Sequence, residues 1–269
     1  MPRLAHATAL LGALALVACT TGTSSDDGPD DTDGTVFIWL AADKDTYSQC
    51  GAAGPPCPTN TTSYGTAGFV AIAYNGLEVR QGYVHFGLPN LPAGAELEEA
   101  YFEMYYAGRN EDGQTDDVLI PVGRAAGPWS PATLSRSNQP NTSLIGGEYT
   151  INLNAQSWSG TANLADIVRA WYADPATNHG FHIYWNTLSP GIQKGFYSNN
   201  DIRRTVSDLG LSPRLLLKVR LAEGQTVSDI TLPALPPDND LPFDGSTVLM
   251  ARTSGGTDWP SSWNVRRGQ

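Results

Sequence analysis

The chain has 269 residues, with 28 Gly, 19 Pro, 16% charged residues and a formal net charge of −11. That balance excludes a charged helical bundle and favours many short strands joined by turns. It also argues against a nucleic-acid partner, because phosphate binding needs clustered Lys and Arg. The length suits one large β-sandwich or two small domains, either with a real core.

Residues 1–18 lie outside the expected fold. Arg3 supplies a positive start, and Ala9 to Ala18 is an apolar run too short to remain as a membrane-spanning helix. It ends in Leu16-Val17-Ala18-Cys19, which resembles the lipobox of bacterial lipoproteins. The resemblance implies cleavage before Cys19 and acylation of its thiol. Thr20 at the next position implies, by the same likeness, an outer-membrane anchor on the periplasmic or cell-surface side. Residues 19–34 are polar, without periodicity, and read as a disordered acidic tether. Five of the 27 acidic residues sit in DDGPDDTD, a solvated linker rather than a cation site. Without Cys19, Cys50 and Cys57 remain, in CGAAGPPC. In an exported domain a disulfide is the default for such a pair and would add about 2–3 kcal/mol. The rival is structural zinc, which two thiols with no nearby His do not favour.

The elements then follow in order. Thr35 to Ala41 and Ala67 to Tyr74 read as strands. Val84, Phe86 and Leu88 alternate with Tyr83, His85 and Gly87, then a Pro/Gly turn leads to a second alternation over Ala100 to Tyr106. Val118 to Val122 contains Pro121 and is expected at an edge or a strand end. Residues 124–146 read as a long loop and Glu148 to Leu153 as a strand. Leu164, Ile167, Val168 and Trp171 form one apolar helical stripe, with Asn163 as N-cap, Asp166 completing a capping box and Pro175 as stop. This helix is expected to plug one end of a sandwich. Phe181 to Thr187, Gly195 to Ser198 and Arg214 to Leu221 complete the strands. The expectation is an all-β sandwich of jelly-roll type over residues 35–221, with one short helix. Residues 222–269 read as a Pro-rich linker and a loosely docked tail. The alternative is that its TVLMA run pairs with a sheet edge.

The order of these features resembles the DNRLRE-domain family, related to disaggregatase repeats and jelly-roll carbohydrate-binding modules. The likeness rests on five stretches between residues 43 and 221: Asp45-Thr46-Tyr47 with Thr62 to Thr66, then Arg80, Tyr83, Phe86, Leu88, Leu91-Pro92 and Gly94-Ala95. Trp129-Ser130 with Asn138 and Pro140 follows, then Asn163 to Trp171 with Asn178 to Phe181, and last Phe196, Ser198 and Pro213 to Leu215. The chain departs from the family at His85, Gly87 and Arg136, and Cys50 to Cys57 resembles an insertion. The resemblance implies the fold more firmly than a ligand site.

Enzyme motifs are absent from the sequence: there is no HExxH, GxSxG or phosphate loop. If Val84, Phe86, Phe102, Met104, Ile183 and Trp185 face the core, then Tyr83, His85, Tyr101, Glu103, Tyr105, His182 and Tyr184 share the opposite face. Such a face can stack on sugar rings, or it can be packing for a second sheet. Asp43 and Asp45 are weak candidates for a structural Ca²⁺, and no cofactor is required. The expectation is a non-enzymatic, lipid-anchored module that binds polysaccharide or extracellular matrix. A self-associating adhesive protein is second, and a polysaccharide lyase or hydrolase third.

Overall fold

A computed structural model describes residues 34–50, 60–74, 78–110, 118–151, 158–184, 192–198, 211–233 and 249–253. The signal segment, Cys19, the tether up to residue 33, Cys57 and Trp185 lie outside the described residues. Cys50 is buried at the end of a strand.

The architecture is all-β and sandwich-type, with one short α-helix among the described residues. The strands are β1 (Thr35–Ala41), β2 (Lys44–Cys50), β3 (Phe69–Tyr74), β4 (Val79–His85), β5 (Glu96–Asn110) and β6 (Val118–Ala125). Then come β7 (Thr142–Ile151), β8 (Trp158–Gly160), the helix α1 (Ala165–Ala173), β9 (Phe181–Ile183), β10 (Ile192–Tyr197), β11 (Arg214–Arg220) and β12 (Leu249–Thr253). The hydrogen-bonded order is β12-β1-β11-β5-β10-β3-β4-β9-β6-β7, with β2 on β4 and β8 on β5. The 15-residue β5 joins the two sheets. Its first part pairs with β11 and β8, and its last part pairs with β10.

Period-two alternation builds the core. Val36, Ile38 and Leu40 of β1 face it with Leu215, Leu217 and Val219 of β11, and with Ala100, Phe102, Met104 and Tyr106 of β5. Val84 and Phe86 meet them from the other sheet with Phe181 and Ile183. At the centre Phe102 stacks on Phe181 with centroids 4.6 Å apart, and Phe86 meets Phe102 edge-on at 5.5 Å. Trp171 of α1 closes the group at 5.0 Å from Phe181. Each ring buries a large apolar surface, and tilted or offset pairs add about 0.5–1.5 kcal/mol apiece. Leu164, Val168 and Trp171 are buried as the helical stripe requires, so α1 does plug the sandwich.

The helix start differs from the expectation. Leu164 occupies the N-cap position, while the Asn163 side-chain carbonyl accepts from the amides of Ala165 and Ala100 at 3.0 Å each. Asn163 thus serves the helix and β5 together. Asp166 pairs with Arg169 instead of capping. A 3-10 turn over Pro175–Thr177 follows α1, and the chain reaches β9 through Gly180. Gly180 has φ +79°, and a Cβ there would lie 2.3 Å from the carbonyl oxygen of Val84.

Three expectations are corrected. Pro121 is not in an edge strand, because β6 lies between β7 and β9. Its carbonyl accepts from the Tyr184 amide, so its missing N–H falls just past the end of β9, where no ladder partner is lost. The segment Lys44–Cys50, for which the sequence pattern gives no strand, is a strand paired along the whole of β4. The fold also continues beyond residue 221: Leu221 and Ile230 are buried in the core, Thr231 bridges Asn90, and β12 pairs with β1 in five-residue register. The tail strand therefore covers an edge of its own sheet.

Across the outer face of the β1–β11–β5 sheet, Phe37, Trp39, Tyr101 and Leu216 form a second apolar cluster. Beside it Glu103, fully buried, receives Arg214 through Nε at 2.7 Å and a terminal nitrogen at 2.5 Å. The guanidinium lies 3.6 Å over the Trp158 ring. Burial pulls the Arg214 proton affinity below its ordinary range, and the Glu103 carboxylate opposes that shift. Glu103→Ala removes this carboxylate from a desolvated cation and should cost about 3–5 kcal/mol in urea unfolding, whereas Glu103→Leu with Arg214→Met should recover most of it. Equal losses in the single and double variants would show that the pair is not coupled.

Candidate functional site

The seven residues expected on one open face occupy two. β4 and β5 are consecutive but belong to opposite sheets, so the sides that point away from the core point in opposite directions. On β5, Tyr101 is 6% exposed within the second apolar cluster and its hydroxyl donates to Glu99 at 2.9 Å. Glu103 is buried in its ion pair. Tyr105, half-buried, meets Trp158 edge-on at 5.5 Å and Tyr197 at 5.9 Å.

The other four lie on β4 and at β9. Tyr83 and His182 stack at 4.4 Å, nearly parallel, with Tyr184 at 5.1 Å from His182. Residues 126–141 cover this pair. Trp129 packs on Tyr83 at 5.7 Å and donates its indole N–H to the carbonyl of His179 at 2.7 Å. The Tyr83 hydroxyl donates to the carbonyl of Pro140 at 3.0 Å, and Arg136 and Gln139 both donate to the Gln81 side chain at 2.8 Å. Gly65 lies so close beneath the cover that a Cβ would stand 2.2 Å from the carbonyl oxygen of Pro131. Tyr83 is fully buried and His182 3% exposed, so neither offers a ring to a ligand. Burial holds the Tyr83 phenol above its usual range, with Arg136 opposing.

His85 is half-buried between two acceptors. Nδ1 lies 2.6 Å from Asp43 Oδ1 and Nε2 3.2 Å from the carbonyl of Asn178, so the ring serves both only when both nitrogens carry protons. Asp45, in contrast, accepts from the Ser198 hydroxyl at 2.5 Å. The two carboxylates suggested for Ca²⁺ thus have different partners, and no group of three metal-ligating side chains occurs among the described residues.

An open cleft of about 530 Å³ lies elsewhere, where the β4–β5 turn, α1 and the end of β11 meet. Its floor is apolar: Leu91, Pro92, Leu97 and the Tyr172 ring, of which Leu97 belongs to the core and Leu91 and Tyr172 pack against it. Its rim carries Arg169 and Arg220 against Glu96 and Glu98. Arg220 reaches Glu96 at 2.9 Å and Glu98 at 3.1 Å. Arg169 donates through Nε to the carbonyl of Leu97 at 3.1 Å and pairs with Asp166. The Tyr172 hydroxyl is buried, finds no partner among the described residues, and is held above the usual phenol range by that burial. Two cations balance two anions over a floor of carbon, a surface able to bind a ligand that both donates and accepts hydrogen bonds.

None of the seven expected residues lines this cleft. Its turn residues Leu91-Pro92 and Ala95 lie in the stretch on which the family resemblance rests. Arg169 and Tyr172 stand three apart on one side of the apolar helical stripe, a spacing that placed them on a common face without naming a neighbour. Compared with known protein families and with curated proteins, the sequence matches none.

His182 gives a pH test of the covered face. Burial, and then the Arg136 charge, push its pKa down to about 3 from 6.5. The folded state therefore holds a neutral ring whose stabilising effect is complete above the unfolded value and is lost as pH falls towards the folded one. Between pH 6.5 and about 5, above most carboxylate titration, His182 should add a slope of up to about 1.4 kcal/mol per pH unit to the unfolding free energy. Denaturant titrations of His182→Gln should lack that increment, and an unchanged slope would place the ring in a solvated setting.

Proposed function

We propose that this protein is a lipid-anchored binding protein of the outer membrane whose β-sandwich takes a neutral, hydroxyl-rich glycan in the cleft between α1, β5 and β11. The observation that carries the reading is the charge-balanced rim over an apolar floor. A sugar presents C–H patches to Leu91, Pro92, Leu97 and Tyr172, and its hydroxyls accept from Arg220 while donating to Glu96 and Glu98. A charged ligand has no such fit, because it must break an existing ion pair to gain one. The lipobox at Leu16 to Cys19 supports the anchor, and the likeness to the DNRLRE-domain family supports a glycan ligand. The buried aromatic candidates become framework in this reading. Catalysis is not part of the proposal, since the rim carboxylates are engaged with Arg220.

The test is a glycan array followed by calorimetry on the full chain, with Arg220→Ala, Glu98→Gln and Tyr105→Ala. Arg220 is half exposed, so its loss should change stability little. Each rim change should weaken a neutral glycan about tenfold or more, the size of a charge-assisted hydrogen bond, while Tyr105→Ala should leave it unchanged. Failure of every neutral glycan, or loss only in Tyr105→Ala, would overturn the site. Cys19→Ser should in turn move the protein from the membrane to the soluble fraction.

A further inference from the structure

We propose that a second cleft, between β6, β7 and the C-terminal end of α1, binds the zwitterionic head of an α-amino acid. The cleft has a volume of about 420 Å³ and a floor of alanine methyls, with no Phe, Tyr or Trp among its lining residues. Two opposite charges share it. Arg124 of β6 makes no ion pair among the described residues, and its Nε–H is buried without a hydrogen-bond partner. Asp174 stands at the C-cap of α1, also without an ion pair.

Asp174 ends α1 and begins the 3-10 turn Pro175–Thr177, and its side chain makes no capping bond to that turn. The end of a helix carries partial negative charge from its unpaired carbonyls, and α1 has no basic residue in its last turn to offset it. Thr177 holds the turn in place by donating its hydroxyl to the Asp174 carbonyl at 2.7 Å. A cation arriving here meets the carboxylate and the helix end together. An anion arriving at Arg124 meets a guanidinium fork with donors to spare. A lone carboxylate is repelled by Asp174 and a lone amine by Arg124. A molecule with both groups on one carbon satisfies each, and the cleft remains neutral overall. Ser143 and His179 line the same walls as further hydrogen-bonding groups. Burial first, then the nearby His85 and Lys44, lower the proton affinity of His179. This site is independent of the glycan cleft.

The same chemistry is available from a free amino acid or from a peptide side chain ending in an α-amino-acid centre, as in 2,6-diaminopimelate. The test follows the backbone amides of Ser143 and Thr177 by NMR in the full chain. It titrates alanine, a diaminopimelate-terminated peptide, acetate and methylamine. Alanine or the peptide should bind about tenfold more tightly than acetate or methylamine, and the tighter of the two identifies the source. Arg124→Met and Asp174→Asn should each weaken binding about tenfold. Asp174→Asn should leave the melting temperature close to that of the parent, since the side chain makes no ion pair or capping bond among the described residues. Acetate or methylamine binding as well as the zwitterions would overturn the proposal. So would no amide shift with any probe, or unchanged affinity in folded Asp174→Asn.

Discussion

The contact of Trp171 with the Phe86–Phe102–Phe181 ring group is the constraint on which the rest of the structure depends. It joins β4, β5, β9 and α1 at one point, and those rings come from both sheets and the helix. Because Trp171 fixes the rotation of α1 about its axis, it also fixes what the two sides of the helix present. Arg169 and Tyr172 look towards the β4–β5 turn, and Ala170 and Asp174 look towards β6 and β7. Both proposed sites are thus flanks of one docked helix. A two-turn element with little stability of its own gains its position from its buried stripe, in which Trp171 joins Leu164 and Val168.

Polar groups are distributed unevenly around this apolar centre. The cover over Tyr83 is held largely by amides and carbonyls: Gln81 accepts from both Arg136 and Gln139, and Trp129 and Tyr83 donate to backbone. Such contacts are directional, so the cover has one seating rather than a range of them. The opposite sheet instead buries a charge pair beneath an indole face. Glu103 and Arg214 also sit in register across β5 and β11, so the pair opposes any slip of the ladder that joins them.

What could be read from the sequence follows from how each element hides its apolar side. β1 is a continuous apolar run, β11 has four large apolar residues in seven, and α1 has a clean stripe, so pattern alone locates them. β2 carries no such pattern, because Asp45 on one face and Thr46 and Ser48 on the other are buried polar residues that break the hydrophobic alternation. β8 has three residues, below any useful period. For the site, the limit was adjacency. Alternation identified which side of β4 and which side of β5 faced away from the core, but nothing local states that the turn at 86–95 carries the chain across the sandwich. Tyr83 and Tyr101 therefore looked like neighbours when they lie on opposite outer faces. The rim of the proposed glycan cleft draws on residues 96, 98, 169 and 220, a proximity that only the packed core creates.

The pairing of β12 with β1 bears on how the chain tolerates being cut. β1 is TVFIWLA, almost wholly buried, and β12 is its outermost neighbour. Truncation at the natural-looking boundary near residue 221 would remove Ile230 from the core and strip that neighbour away. What remains is a seven-residue apolar edge with no charge or proline to discourage another strand from adding to it. The C-terminal segment then acts as an intramolecular guard against aggregation, and a shortened protein that polymerises would be reporting a lost cover rather than a native adhesive surface.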